Sequence, residues 1–119
     1  MNIALWIASG LLAFAMLAAG GTKLFVPRVK LLDKMGWAAS WSDGQFKLLG
    51  LAELLGAIGV IVPHATGIMP ILTPVAAVCL VVLMAGAVKT HMDRKEPPAA
   101  PAILALLGVF VALGRFGVL

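Results

Sequence analysis

Residues 3–22 form an apolar run of 20 positions without a charged side chain. As a helix that is about 30 Å of rise, the thickness of a bilayer's hydrocarbon core. Three further runs follow, at about 46–62, 74–91 and 101–117, and together the four take up most of the 119 residues. With 62% hydrophobic and 12% charged residues, the chain has too little polar surface for an ordinary soluble domain, so lipid must be the solvent for most of it. The first run lacks a basic flank before it and is longer than the apolar part of a secretion signal, so it reads as a retained span.

The run boundaries carry their own signals. Lys23 follows the first run, and the second is expected to stop at Pro63-His64. Thr73-Pro74 and Pro101 look like helix starts, with Thr73 able to cap free N–H groups and proline tolerated in the first turn. Of nine Lys and Arg residues, Lys23, Arg28, Lys30, Lys34, Lys47, Lys89, Arg94 and Lys95 fall on one side, and Arg115 alone on the other. The positive-inside rule makes the basic side cytoplasmic and puts both termini outside. The net charge of +4 therefore reads as a topology signal, and nucleic acid is not an expected partner. Cys79 is the single cysteine, so no internal disulfide, CxxC pair or cysteine-rich metal site is available, and no metal is expected.

The expected architecture is all-α: one transmembrane domain, an antiparallel four-helix bundle with a short interfacial helix in the first loop. In that loop Val29, Leu32, Met35 and Gly36 recur at helical spacing opposite Arg28, Lys30 and Lys34, followed by Trp37 and Trp41. Small residues stripe each span, as close packing in lipid requires. Ser9, Ala13, Met16, Gly20 and Lys23 share one face of the first span, and Gly50, Glu53, Ala57, Val60 and His64 one face of the second. Ala77, Leu80, Met84, Ala87 and His91 do so on the third, and Ala105, Gly108, Ala112 and Arg115 on the fourth.

Glu53 is the anomaly on these stripes. It lies about 10 Å inside the second run, where a lone carboxylate would cost several kcal/mol, so it is expected to be protonated, watered or paired with Lys23. Lys23, Glu53 and His91 all belong to the basic ends of their spans and form the expected ligand-binding set, with Glu53 the one catalytic candidate. Lys89 and Arg115 read as snorkelling anchors, His64 as an interfacial residue, and Met16 and Met84 as packing.

Ala19-Gly20-Gly21-Thr22-Lys23-Leu24, Leu49-Gly50-Leu51-Ala52-Glu53-Leu54-Leu55-Gly56-Ala57 and Gly86-Ala87-Val88-Lys89-Thr90-His91 resemble the DoxX-like family of small bacterial four-span membrane proteins. The resemblance implies a helical bundle in the bacterial inner membrane. It also implies a link to quinone chemistry, since the family's name comes from the membrane subunit of a thiosulfate:quinone oxidoreductase. No cofactor is required by the residues themselves. Three functions stay open: a membrane subunit that binds a quinone or another apolar ligand and docks an oxidoreductase partner, a membrane isomerase or hydrolase using Glu53 as acid or base, and an assembly scaffold. Self-association is compatible with each.

Overall fold

A computed structural model describes residues 2–32 and 36–118, and among them every regular element is helical. Helices α1 (Asn2–Phe25), α3 (Asp43–Thr66) and α4 (Leu72–Asp93) are long and apolar enough to cross a membrane. Helix α5 (Ala99–Arg115) is shorter, 17 residues or about 25 Å. One helical turn, α2 (Arg28–Leu31), and a 3-10 turn at Gly36–Ser40 fill the first loop. The long helices form a closed ring in which α1 packs on α3 and α5, and α4 packs on the same two, so that α1 and α4 lie across a diagonal. This is a multi-pass membrane protein built as a helical bundle.

The expected stripes are the seams. Ser9, Met16, Gly20 and Lys23 of α1 are buried, as are Gly50, Glu53, Ala57 and Val60 of α3, Ala77, Leu80 and Met84 of α4, and Gly108 and Ala112 of α5. Ala13, His64, Ala87, His91, Ala105 and Arg115 are half-buried at the margins. Many other large apolar side chains point the other way: Ile3, Phe14, Leu48, Val82 and Leu106 are all at least 66% exposed, the outward-facing surface that a bilayer solvates.

Helix ends depart from the sequence expectations in several places. The first helix continues past Lys23 to Phe25, which brings Lys23 into the last turn and onto the seam. The third helix starts on a capping box in which the Ser42 Oγ accepts from the Gln45 backbone and the Gln45 side chain accepts from the Ser42 N–H. It does not stop at Pro63: it runs to Thr66, and Gly67, at φ 73°, supplies the left-handed residue that ends it, donating to the Pro63 carbonyl at 3.0 Å. Thr73 is no cap, because α4 begins at Leu72 and the Thr73 hydroxyl is buried without a partner. Helix α5 begins after Pro98, two residues ahead of Pro101, and ends at Arg115.

Among the described residues of the first loop, where the interfacial helix is expected, the helical elements are the single turn of α2 and the 3-10 turn. The buried residue of α2 is Leu31, which packs with Ala38 and Phe46 against Val26 and the half-buried Leu32, whereas Val29 faces outward. Asp33, Lys34 and Met35, and the side chain of Trp37, lie outside the described residues. Arg28 fastens the loop to α3 through Asp43 (Nε to Oδ1, 2.9 Å) and to its own far side through the Ala38 carbonyl (Nη1, 3.0 Å).

Among the glycines, the closest approach to the backbone of another helix is between α1 and α3. A Cβ added at Gly20 would lie 2.6 Å from the Gly50 carbonyl oxygen, and one at Gly50 would lie 2.7 Å from the Lys23 Cβ. Neither can be accommodated by a side-chain rotation alone, because the Gly20 obstacle is backbone. Gly10 and Gly86 have no such neighbour within 4 Å. Gly20→Ala is therefore expected to lower the thermal midpoint of the purified protein markedly, while Gly10→Ala and Gly86→Ala leave it unchanged or raise it slightly through better helix propensity. Equal midpoints for all three would mean that α1 and α3 do not meet at Gly20.

Candidate functional site: the buried Lys23–Glu53 pair and its surroundings

The α1–α3 glycine contact sets the position of two charges. Lys23 stands three residues after Gly20 and Glu53 three after Gly50, so each lies on the same helix face as its glycine, one turn further along. Because the two helices run antiparallel, Lys23 packs over Gly50 and Glu53 over Gly20, and the two side chains meet: Lys23 Nζ is 2.9 Å from Glu53 Oε1 and 3.2 Å from Oε2. The side chains are 7% and 2% exposed. Of the three environments open to Glu53, the structure selects pairing with Lys23.

One ammonium bridging both carboxylate oxygens cancels the charge that makes a buried acid costly, and the separation is that of a charge-assisted hydrogen bond. Both oxygens are thereby engaged, which leaves Glu53 poorly placed to act on a substrate unless Lys23 is displaced.

His91 does not join the pair. It sits on α4, diagonal to α1, and its Nδ1 lies 3.4 Å from Glu96 Oε1 in the loop to α5, an approach without hydrogen-bond alignment. The Arg94 Nε stands 3.4 Å from the same oxygen. Arg94 also reaches across to the first loop, where a Cβ on Gly36 would fall 2.5 Å from its Nη2. The two basic loops thus pack on each other and close this end of the bundle. Lys89 pairs with Asp93 at 2.9 Å on the surface, an i,i+4 contact of little energetic weight.

Two cavities flank the beginning of α3. The larger, about 580 Å³, is a groove on the α4 side lined by Trp41, Gln45, Leu48, Leu49, Ala52 and Leu83. Positions 45, 48, 49 and 52 recur at helical spacing, so they form one flank of α3, adjacent to the face that carries Glu53. None of Lys23, Glu53 and His91 lines this groove. Trp41, expected as an interfacial anchor, is half-buried and forms its rim. The smaller cavity, about 180 Å³, lies on the α1 side and has Lys23 in its wall.

At the opposite end, Arg115 is not a freely snorkelling anchor. Its guanidinium lies 5.1 Å from the centre of the Trp6 ring and donates from Nη1 to Asn2 Oδ1 at 2.9 Å. Trp6 in turn meets the His64 ring at 5.4 Å between centroids. Three helices are tied together there by a cation–π contact and a ring contact. The signal was present in the order of the chain: antiparallel α1 and α5 are neighbours, so the start of one and the end of the other share a level.

The pair's energetics have a direct test. Lys23→Met or Glu53→Leu alone leaves the remaining buried group without its counter-charge and is expected to cost about 3–5 kcal/mol of stability. The double variant removes both charges and should recover most of the loss. Thermal unfolding in a neutral detergent checks this, and a double variant as unstable as the sum of the singles would contradict a coupled pair.

No similar curated protein and no similar solved structure was matched. A family model does match, over residues 7–113, which takes in nearly all of the four long helices together with the Gly20–Lys23 and Gly50–Glu53 segments. The chain belongs to the DoxX-like family.

Proposed function

We propose that this protein is a membrane subunit that holds an apolar ligand with a carbonyl-bearing head, a quinone by class, and docks an oxidoreductase partner on its basic end in the bacterial inner membrane. The observation that carries this reading is the groove beside α3. Its volume of about 580 Å³ is in the range of small-molecule sites, and its walls are mostly apolar with one aromatic ring and one amide. The Trp41 ring supplies a stacking face for a planar head. Gln45 spends its side-chain oxygen on the Ser42 N–H at 3.1 Å, which leaves its amide hydrogens as donors to a carbonyl. Leu48, 66% exposed, continues the groove onto the lipid-facing surface, where an isoprenoid-like tail would lie.

In this reading Lys23 and Glu53 hold α3 in place against α1 rather than contact the ligand, and electrons come from the partner. Lys30, Lys89 and Lys95 are exposed on the basic end and offer that partner a positively charged face. The engagement of both Glu53 oxygens by Lys23 favours this subunit role over acid–base catalysis by Glu53.

A short-tailed quinone analogue added to the protein in nanodiscs is expected to raise the thermal midpoint and quench tryptophan fluorescence saturably. Ala52→Trp, which fills the groove, should abolish both effects without unfolding the protein, and Gln45→Ala should weaken binding about tenfold. An unchanged midpoint for the native protein, or binding that persists in Ala52→Trp, would overturn the groove as a quinone site.

A further inference from the structure

We propose that the smaller cavity, on the α1 side of α3, is a binding site for the phosphodiester headgroup of an anionic membrane lipid. It has a volume of about 180 Å³, and its wall includes Lys23, Arg28 and Lys47 as cations, Asp43 as an acid, and the apolar Phe25 and Val29. The site is separate from the groove, which is bounded by α3 and α4.

The cavity lies where α1 ends and α3 begins, the level at which the apolar runs give way to charge and therefore the level of lipid headgroups. Existing contacts leave donors to spare. Arg28 commits Nε to Asp43 and Nη1 to the Ala38 carbonyl, so its Nη2 remains. Lys23 directs its ammonium to the two Glu53 oxygens, and a third N–H remains. Lys47 is exposed and has no acidic partner among the described residues.

Three cations face two carboxylates, Asp43 and Glu53, which leaves one positive charge unbalanced. A phosphodiester carries one negative charge and several strong acceptor oxygens, so it balances the charge and takes the spare donors. Lipid is favoured over free phosphate by the flanks. Phe25 is 84% and Val29 68% exposed, and these two side chains at the rim place acyl chains, not water, beside the bound head.

The experiment is a thermal-shift titration of the full chain in a neutral detergent with short-chain phosphatidylglycerol. Phosphatidylcholine and inorganic phosphate are run as separate arms. Saturable stabilisation by phosphatidylglycerol, with at least tenfold weaker effects of the other two, is expected. Lys47→Gln should weaken the phosphatidylglycerol effect about tenfold, and Lys89→Gln, whose lysine is exposed but outside the cavity, should leave it unchanged. Equal stabilisation by phosphatidylcholine would overturn recognition of the anion, and equal stabilisation by inorganic phosphate would overturn the lipid as its source. Equal losses in Lys47→Gln and Lys89→Gln would reduce the effect to general surface charge and overturn the site. Circular dichroism of both variants confirms that they are folded, since neither removes a buried contact.

Discussion

Two opposite charges inside a low-dielectric bundle are tolerable when they meet, and the meeting of Lys23 with Glu53 is the constraint around which this molecule is arranged. The pair requires α1 and α3 to approach closely near their ends, and Gly20 and Gly50 permit it because their backbones occupy the space that two Cβ atoms would take. The coupling runs in both directions. Glycine contact without the charges would leave a weak dispersion seam, since lipid competes as well as leucine for apolar surface. The charges without the glycines would be held apart, each carrying most of its desolvation cost.

From that seam the remainder of the basic end follows. With α1 and α3 fixed, the first loop must return over a short distance, and it does so as a helical turn and a 3-10 turn packed through Leu31 and Ala38 on Phe46. Arg28 locks the loop to the start of α3, and Arg94 lays the α4–α5 connection against Gly36. These contacts leave α3 with a cavity on either side of its first turns: a mostly apolar groove under Trp41 and a cationic recess beside Lys23. The opposite end is held differently, by Arg115, Trp6 and His64, contacts that do not require a dry interior.

Much of this could be read from the residues alone because the strongest signals are one-dimensional. Runs of apolar residues and stripes at helical spacing depend on local geometry, and they located the helices and their buried faces. Glu53 stood out because an intramembrane acid is expensive wherever its partner lies. The helix ends were less legible. Pro63 is a weaker stop than Gly67, whose positive φ closes the helix one turn later, and the buried Thr73 hydroxyl points inward instead of capping. Leu31 instead of Leu32 is the loop's buried leucine because it packs with Ala38 on Phe46 of α3, a contact set by how the loop meets that helix and not by local spacing. Depth alone groups His91 with Lys23 and Glu53. Depth does not distinguish neighbouring helices from diagonal ones, and α4 lies across from α1. The groove could not be seen at all, since its rim at Trp41 depends on how a loop folds back.

The most direct measurement is isotope-edited infrared difference spectroscopy between the native protein and Glu53→Gln in lipid. An ion pair predicts that the substitution removes a carboxylate stretching pair and no protonated carboxyl band, and that Lys23→Met converts Glu53 to the protonated form. A native protein that already shows the protonated carboxyl band for Glu53 would contradict the ion pair and, with it, the account of how α1 and α3 are held.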